Sequence, residues 1–278
     1  MMDQRTGRGF YETLKLAITD ITEYGFDTSG RLAYWTEQLR QAALRTLKPA
    51  WQMEEMLKFG LSAIYRRLIE RGAIARYHSG LPIFSLVRVA PHLRAELDRR
   101  IIAAADLIKL NREQAVAKTL QRFQGWATSI PGGGTTTNDK RETAKEVRKA
   151  LARLPFEERR VMIDQGHKFA ANLSNILATE GGALALIWHS HWRQAGYDYR
   201  EDHKDRDLRV YALRDSWAIQ EGLMRPGVAG YYEDITAVGE EVFCRCYAQY
   251  LYALRDLPKE MLTKKGAEAL AQAKTAAA

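Results

Sequence analysis

Any chemistry in this chain would come from a stretch near its C-terminal end, where histidines, cysteines and carboxylates crowd together. Trp188-His189-Ser190-His191-Trp192 reads as a strand, on which alternate residues share a face. His189 and His191 would then point one way, and Trp188 and Trp192 the other. The two cysteines of the chain stand as Cys244-Arg245-Cys246, closer in sequence than most disulfides prefer. A reduced pair that packs or binds metal is the expectation, and strand alternation would put both thiols on one face. His203 lies between the two segments. Two thiols with two or three imidazoles make a ligand set for tetrahedral zinc. His189, His191, His203, Cys244 and Cys246 are therefore the candidate ligands of a structural zinc site. The cysteine spacing is not the C-x2-C of zinc fingers and ribbons. The bland alternative is a pair of small buried cysteines with locally hydrogen-bonded histidines.

Hydrolysis is the competing chemistry. Paired histidines beside Asp198, Asp202, Asp205 and Asp207 could hold a catalytic metal for a nuclease or other hydrolase acting on DNA. These acids alternate, however, with Arg200, Lys204, Arg206 and Arg209, the pattern of a solvated, ion-paired loop. Ser190 is a poor nucleophile, because on a strand it faces away from both neighbouring histidines. No Ser/His/Asp arrangement can be read, and the Gly-rich segment near residue 133 lacks the Gly-Lys-Ser/Thr ending of a phosphate loop. No catalytic residue and no organic cofactor is expected.

The elements that must position these residues are an α+β arrangement: a mainly helical N-terminal region followed by a small C-terminal α+β domain with short antiparallel strands. Residues 1–128 read as helices. Asp27-Thr28-Ser29 offers caps before an apolar face of Leu32, Trp35, Leu39, Ala43 and Leu47, and a helix from Pro49 is stopped by Gly72. Pro91 is expected to open a long helix to about 124, with Leu93, Leu97, Ile101, Ala104 and Ile108 on its apolar stripe. Its other face carries Arg94, Arg99, Arg100, Arg112 and Arg122, candidates to face DNA, or simply water. Residues 129–138 form a Gly/Thr-rich linker. A helical pair, 139–153 and 155–179, fills 139–182. Strands are expected at about 184–192, 207–213 and 241–252 within a domain spanning 183–258. A tail, 259–278, is either a frayed helix or disordered. No internal repeat is found.

The 278 residues are 46% hydrophobic and 27% charged, an ordinary globular composition. No run of apolar residues is long enough for a membrane helix, and no signal peptide is read at the start. Folding in a cytosol, away from membranes, is expected. The net charge of +8 is compatible with an acidic partner such as DNA, or with an ordinary basic surface. A basic DNA-binding module is thus a further alternative.

One order of residues carries more. The Trp-rich strand is followed by Arg200-Glu201-Asp202-His203, Arg206-Asp207, Tyr211, Pro226-Gly227 and Phe243-Cys244-Arg245-Cys246-Tyr247. Over roughly residues 185–250 this resembles the phage Mu F-like minor head proteins, the phage head morphogenesis family. Leu208 stands where that family often has Gly, and Phe243 where Asn is common. The resemblance implies a virion protein acting in head morphogenesis at the portal vertex and capsid interior, made in the host cytoplasm. It implies portal protein and major capsid protein as partners, with phage genomic DNA nearby, and a structural rather than catalytic role. His203, Asp207, Cys244 and Cys246 would then hold the fold, with Arg206 and Tyr211 as structural neighbours.

Overall fold

The computed structural model describes residues 9–26, 30–69, 74, 76–81, 83–132, 134 and 139–276, with only the backbone of 83–87. The Asp27-Thr28-Ser29 caps, Gly72 and much of the Gly/Thr-rich linker lie outside these. The helices are α1 (Phe10–Tyr24), α2 (Arg31–Thr46), α3 (Ala50–Ile69), α4 (Ile83–Ala127) and α5 (Lys140–Glu180). Then come β1 (Ala185–His189), a short α6 (Glu201–Asp205), β2 (Val210–Ala212), a short α7 (Trp217–Gln220), β3 (Tyr247–Leu251) and α8 (Lys264–Ala276). The fold is α+β: long helices first, a small antiparallel sheet after. Among the described residues no helix is long and apolar enough to cross a membrane.

Two prolines do not act as the sequence suggests. Pro91 lies inside α4, which begins at Ile83, and Pro155 lies inside α5, which is one helix of 41 residues rather than a pair. Each proline removes one i→i−4 hydrogen bond. Around Pro91 the loss is offset by an apolar face that continues through it, with Val89, Leu93 and Leu97 all buried.

The chain forms two compact units whose boundaries fall within the long helices rather than at the linker. One unit comprises Met1–Met56 and Ala103–Met162. Its core is helical: Leu14, Ile18 and Ile21 of α1, Leu39 and Ala43 of α2, Val116, Leu120 and Phe123 of α4, and Val147 of α5. The other comprises Leu57–Ile102 and Ile163–Ala278. Its helical part packs Leu61, Leu93, Leu97 and Ile101 with Phe169, Leu173 and Leu177.

The sheet of this second unit has the order β2-β1-β3, antiparallel throughout. The side-chain period of two splits it cleanly. Leu186, Trp188, Tyr211, Ala248 and Tyr250 face a cluster that includes Ala178 of α5 and both cysteines. Ala185, Ala212 and Leu251 face a second cluster with Ala218, Leu223, Met224 and Met261. The tail, as far as Ala276, packs on the domain: Met261 is buried, Thr263 Oγ1 donates to the Gly222 carbonyl, and Lys265 Nζ in the first turn of α8 donates to that of Glu221.

The arginines of α4 do not form a common exposed stripe. Arg100 is buried, where it pairs with Glu96 at 3.1 Å and donates to Gln165. Arg112 is buried against Glu158 at 2.5 Å and donates to the Lys48 carbonyl. A buried guanidinium must be paired, and neither is left to meet a phosphate. Arg94 and Arg99 are exposed but engaged by Asp98 and Glu96, and Arg122 is exposed with one hydrogen bond to a backbone carbonyl.

Candidate metal centre

The strands are shorter than the sequence pattern suggests, and this changes how the cysteines meet. β3 starts at Tyr247, so Cys244 and Cys246 lie on the turn that leads into it. That turn reverses at Phe243, whose φ of 61° is in the left-handed region. The Phe243 N–H donates to Asp164 Oδ1 at 2.6 Å, and Tyr197 clasps the other side, with its OH on the Phe243 carbonyl and accepting from the Arg245 N–H. The two thiols are thereby turned inward together, free and buried.

His203 comes from α6, on the connection from β1 to β2. Its Nδ1 lies 3.7 Å from Cys244 Sγ and 3.5 Å from Cys246 Sγ. A nitrogen and a sulfur on a tetrahedral zinc, at ordinary bond lengths, would sit roughly 3.5–3.6 Å apart, and the two sulfurs roughly 3.8 Å apart. The spacing therefore fits a shared metal ion, and these three residues form a His-Cys-Cys cluster. The far nitrogen, Nε2, is 3.1 Å from Glu241 Oε2, an ion-pair distance without hydrogen-bond alignment. Glu241 is itself held by Arg200 Nε at 2.7 Å. A carboxylate behind a histidine fixes the tautomer that aims the other nitrogen at a metal.

The electrostatics suit one negative charge on the thiol pair. Contact with Cys246, then with His203, pulls the Cys244 thiol well below its ordinary range, against the opposing effect of burial. Cys246 is pushed up by sharing that proton and by burial. Ser190 and Trp188 adjoin the Cys246 sulfur and favour its thiolate. Ser190 Oγ and Trp188 Nε1 are buried with no other hydrogen-bond partner, as are donors kept for an anionic sulfur.

The surrounding residues brace this centre. Trp188 meets the His203 ring edge-on at 5.3 Å, and Arg206 lies over the Trp188 ring at 5.1 Å. Arg206 also pairs with Asp202 at 2.7 Å and donates to the Thr236 carbonyl and hydroxyl. Asp207 accepts from the Ser190 N–H and from Trp192 Nε1, both at 2.9 Å, and pairs with Arg193 at 3.2 Å. Burial would raise its carboxyl, but those two hydrogen bonds and the Arg193 charge outweigh this and lower it. The next residue, Leu208, takes φ 63° while its N–H donates to the Trp188 carbonyl at 2.7 Å. Tyr211 is buried in β2 opposite Leu186.

No family model, curated protein or solved structure matches this chain.

Of the five proposed ligands the structure thus brings together three. His189 pairs with Tyr247 across the strands and stacks on its ring at 4.7 Å, and His191 tilts against the same ring at 5.8 Å. For His189 the reason is the alternation itself, since it lies on the sheet face opposite Trp188 whereas the thiols are on the Trp188 side; His191 lies beyond the end of β1. Glu241 and Asp164 were missed. Glu241 stands three residues before Cys244, a cue of proximity only; Asp164 lies in the middle of α5 and gives no local signal.

Proposed function

We propose that the chain is a minor head protein of a tailed phage, acting in head morphogenesis at the portal vertex and capsid interior as a structural component rather than a catalyst. One observation carries the reading. Most of the residues on which the resemblance rests gather around a single buried centre. Trp188, His203, Arg206, Tyr211, Cys244 and Cys246 adjoin one another there, Arg200 reaches it through Glu241 and Asp207 through Ser190, whereas Pro226-Gly227 lies elsewhere, against Met261. His203 and Cys244 are each 1% exposed, which suits ligands that hold a fold and does not suit groups that must reach a substrate. The two departures from the family pattern support the reading in a second way. Leu208 and Phe243 stand where Gly and Asn are common, and they are the described non-glycine residues with left-handed backbone, the conformation Gly and Asn tolerate best. In this reading a zinc-class ion on His203, Cys244 and Cys246 reinforces a domain with few strands of its own. Portal protein and major capsid protein are the partners, with packaged DNA close by.

The test is assembly. The chain is co-produced with the portal and major capsid proteins of its own genome, and heads are purified. The reading expects the protein in those heads at low copy, and expects less of it when Cys244→Ser/Cys246→Ser is used. Heads of normal composition without it, or metal-dependent cleavage of DNA by the purified protein, would overturn it.

A further inference from the structure

A cleft of about 330 Å³ opens beside the metal centre, within the second unit. Its charged and titratable lining is Arg76, His167, His191, Arg245 and Cys246, with Tyr77, Tyr247 and Tyr250 as aromatic walls. Among the described residues no aspartate or glutamate lines it. This sets the two arginines apart. Arg99, Arg100, Arg112, Arg200 and Arg206 each pair with a carboxylate. The guanidiniums of Arg76 and Arg245, among the described residues, contact only tyrosine rings, Tyr77 at 5.2 Å and Tyr197 at 5.3 Å. The nearby carboxylate of Asp164 is already engaged by Lys168 at 3.1 Å and by the Phe243 N–H. Arg245 and His191 lie close enough to act on His167, as do Asp164 and Cys244, so the lining groups share one space rather than separate walls.

We infer that this cleft is a binding site for a phosphate group, carried either by a nucleic-acid strand or by a small phosphate compound. Two guanidiniums supply planar, forked donors matched to a phosphate's oxygens, and two imidazoles add donors around them. Among the described residues neither guanidinium has a carboxylate partner. Tyr77 and Tyr247 meet edge to face at 5.5 Å, and such aromatic surfaces beside a cationic site suit a nucleobase attached to the phosphate. The inference stands apart from the assembly reading: it needs neither the metal nor a virion.

The experiment measures equilibrium binding of the full chain to a labelled short single-stranded oligonucleotide and, in a second arm, to inorganic phosphate by calorimetry, with sulfate as control. Arg76→Gln and Arg76→Gln/His191→Gln are compared; both avoid the cysteine turn, and unfolding curves confirm that each folds. Binding weakened about tenfold or more in the double variant, with a shallower salt dependence, supports the site. Oligonucleotide binding identifies a nucleic-acid source, and phosphate binding alone identifies a small-molecule source. Binding in neither arm, or binding equal in wild type and variants, overturns it.

Discussion

Leu208 offers a test of the backbone geometry that leads from His203 into β2. It takes φ 63°, and its side chain is 59% exposed, so truncation removes little packing. An L-residue in this region costs about 1–2 kcal/mol, which glycine does not incur. Glycine in turn loses more backbone entropy on folding, about 0.5–1 kcal/mol relative to alanine. Comparing Leu208→Gly with Leu208→Ala isolates the backbone, because both remove the side chain and both keep the N–H bond to the Trp188 carbonyl. The balance favours glycine by roughly 0.5–1 kcal/mol, a reversal of the ordinary order at a position of negative φ. Urea unfolding followed by tryptophan fluorescence reads this as a higher midpoint for Leu208→Gly at equal slope. A higher midpoint for Leu208→Ala would refute the left-handed turn and, with it, one of the supports for the family resemblance. The same ordering, Asn above Ala, is expected at Phe243.

Asp207→Ala strands the Ser190 N–H and the Trp192 indole N–H in a half-buried loop and should destabilise by about 2–4 kcal/mol, read from the same unfolding curves; a loss under about 0.5 kcal/mol would contradict its role as a clamp. Because its folded pKa is lowered, its contribution is present above the unfolded value near 4 and is lost as pH falls further. His78 acts in a higher window. It is 3% exposed, bonded through Nδ1 to the Tyr252 hydroxyl at 2.7 Å and stacked on Tyr250, and burial lowers its pKa to about 4. The unfolded chain takes up the proton first, so stability should fall by up to about 3 kcal/mol as pH drops from about 6.5 to 4. His78→Asn should flatten that window; an unchanged pH profile in the variant would remove His78 as its cause.

Much of this was legible because it depends on local patterning. The apolar offsets of three and four gave the helices, and strand alternation separated Trp188 from His189 correctly. That alternation also excludes His189 from the thiol cluster, a consequence visible only once the side of the sheet facing α5 is known, while His191 lies past the end of the strand. The cysteines came together by a different route, a left-handed turn at Phe243 rather than a strand, which residue type argues against. Pro91 and Pro155 misled because tertiary packing on both sides of a proline can outweigh one lost hydrogen bond. Arg100 and Arg112 misled because a sequence shows a basic helical face but not the partners, Gln165 and Glu158, that α5 sets against it. Glu241 behind His203 depended on the long β2–β3 connection and had no periodic signature.

The central claim is that His203, Cys244 and Cys246 form a fold-holding metal centre. It is tested by elemental analysis of the purified, tag-free full chain beside Cys244→Ser/Cys246→Ser, with thermal unfolding of both. The account predicts about one zinc per chain, absent from the variant together with a clear drop in unfolding temperature. No metal in the wild-type chain, and a variant that unfolds at the same temperature, would contradict it.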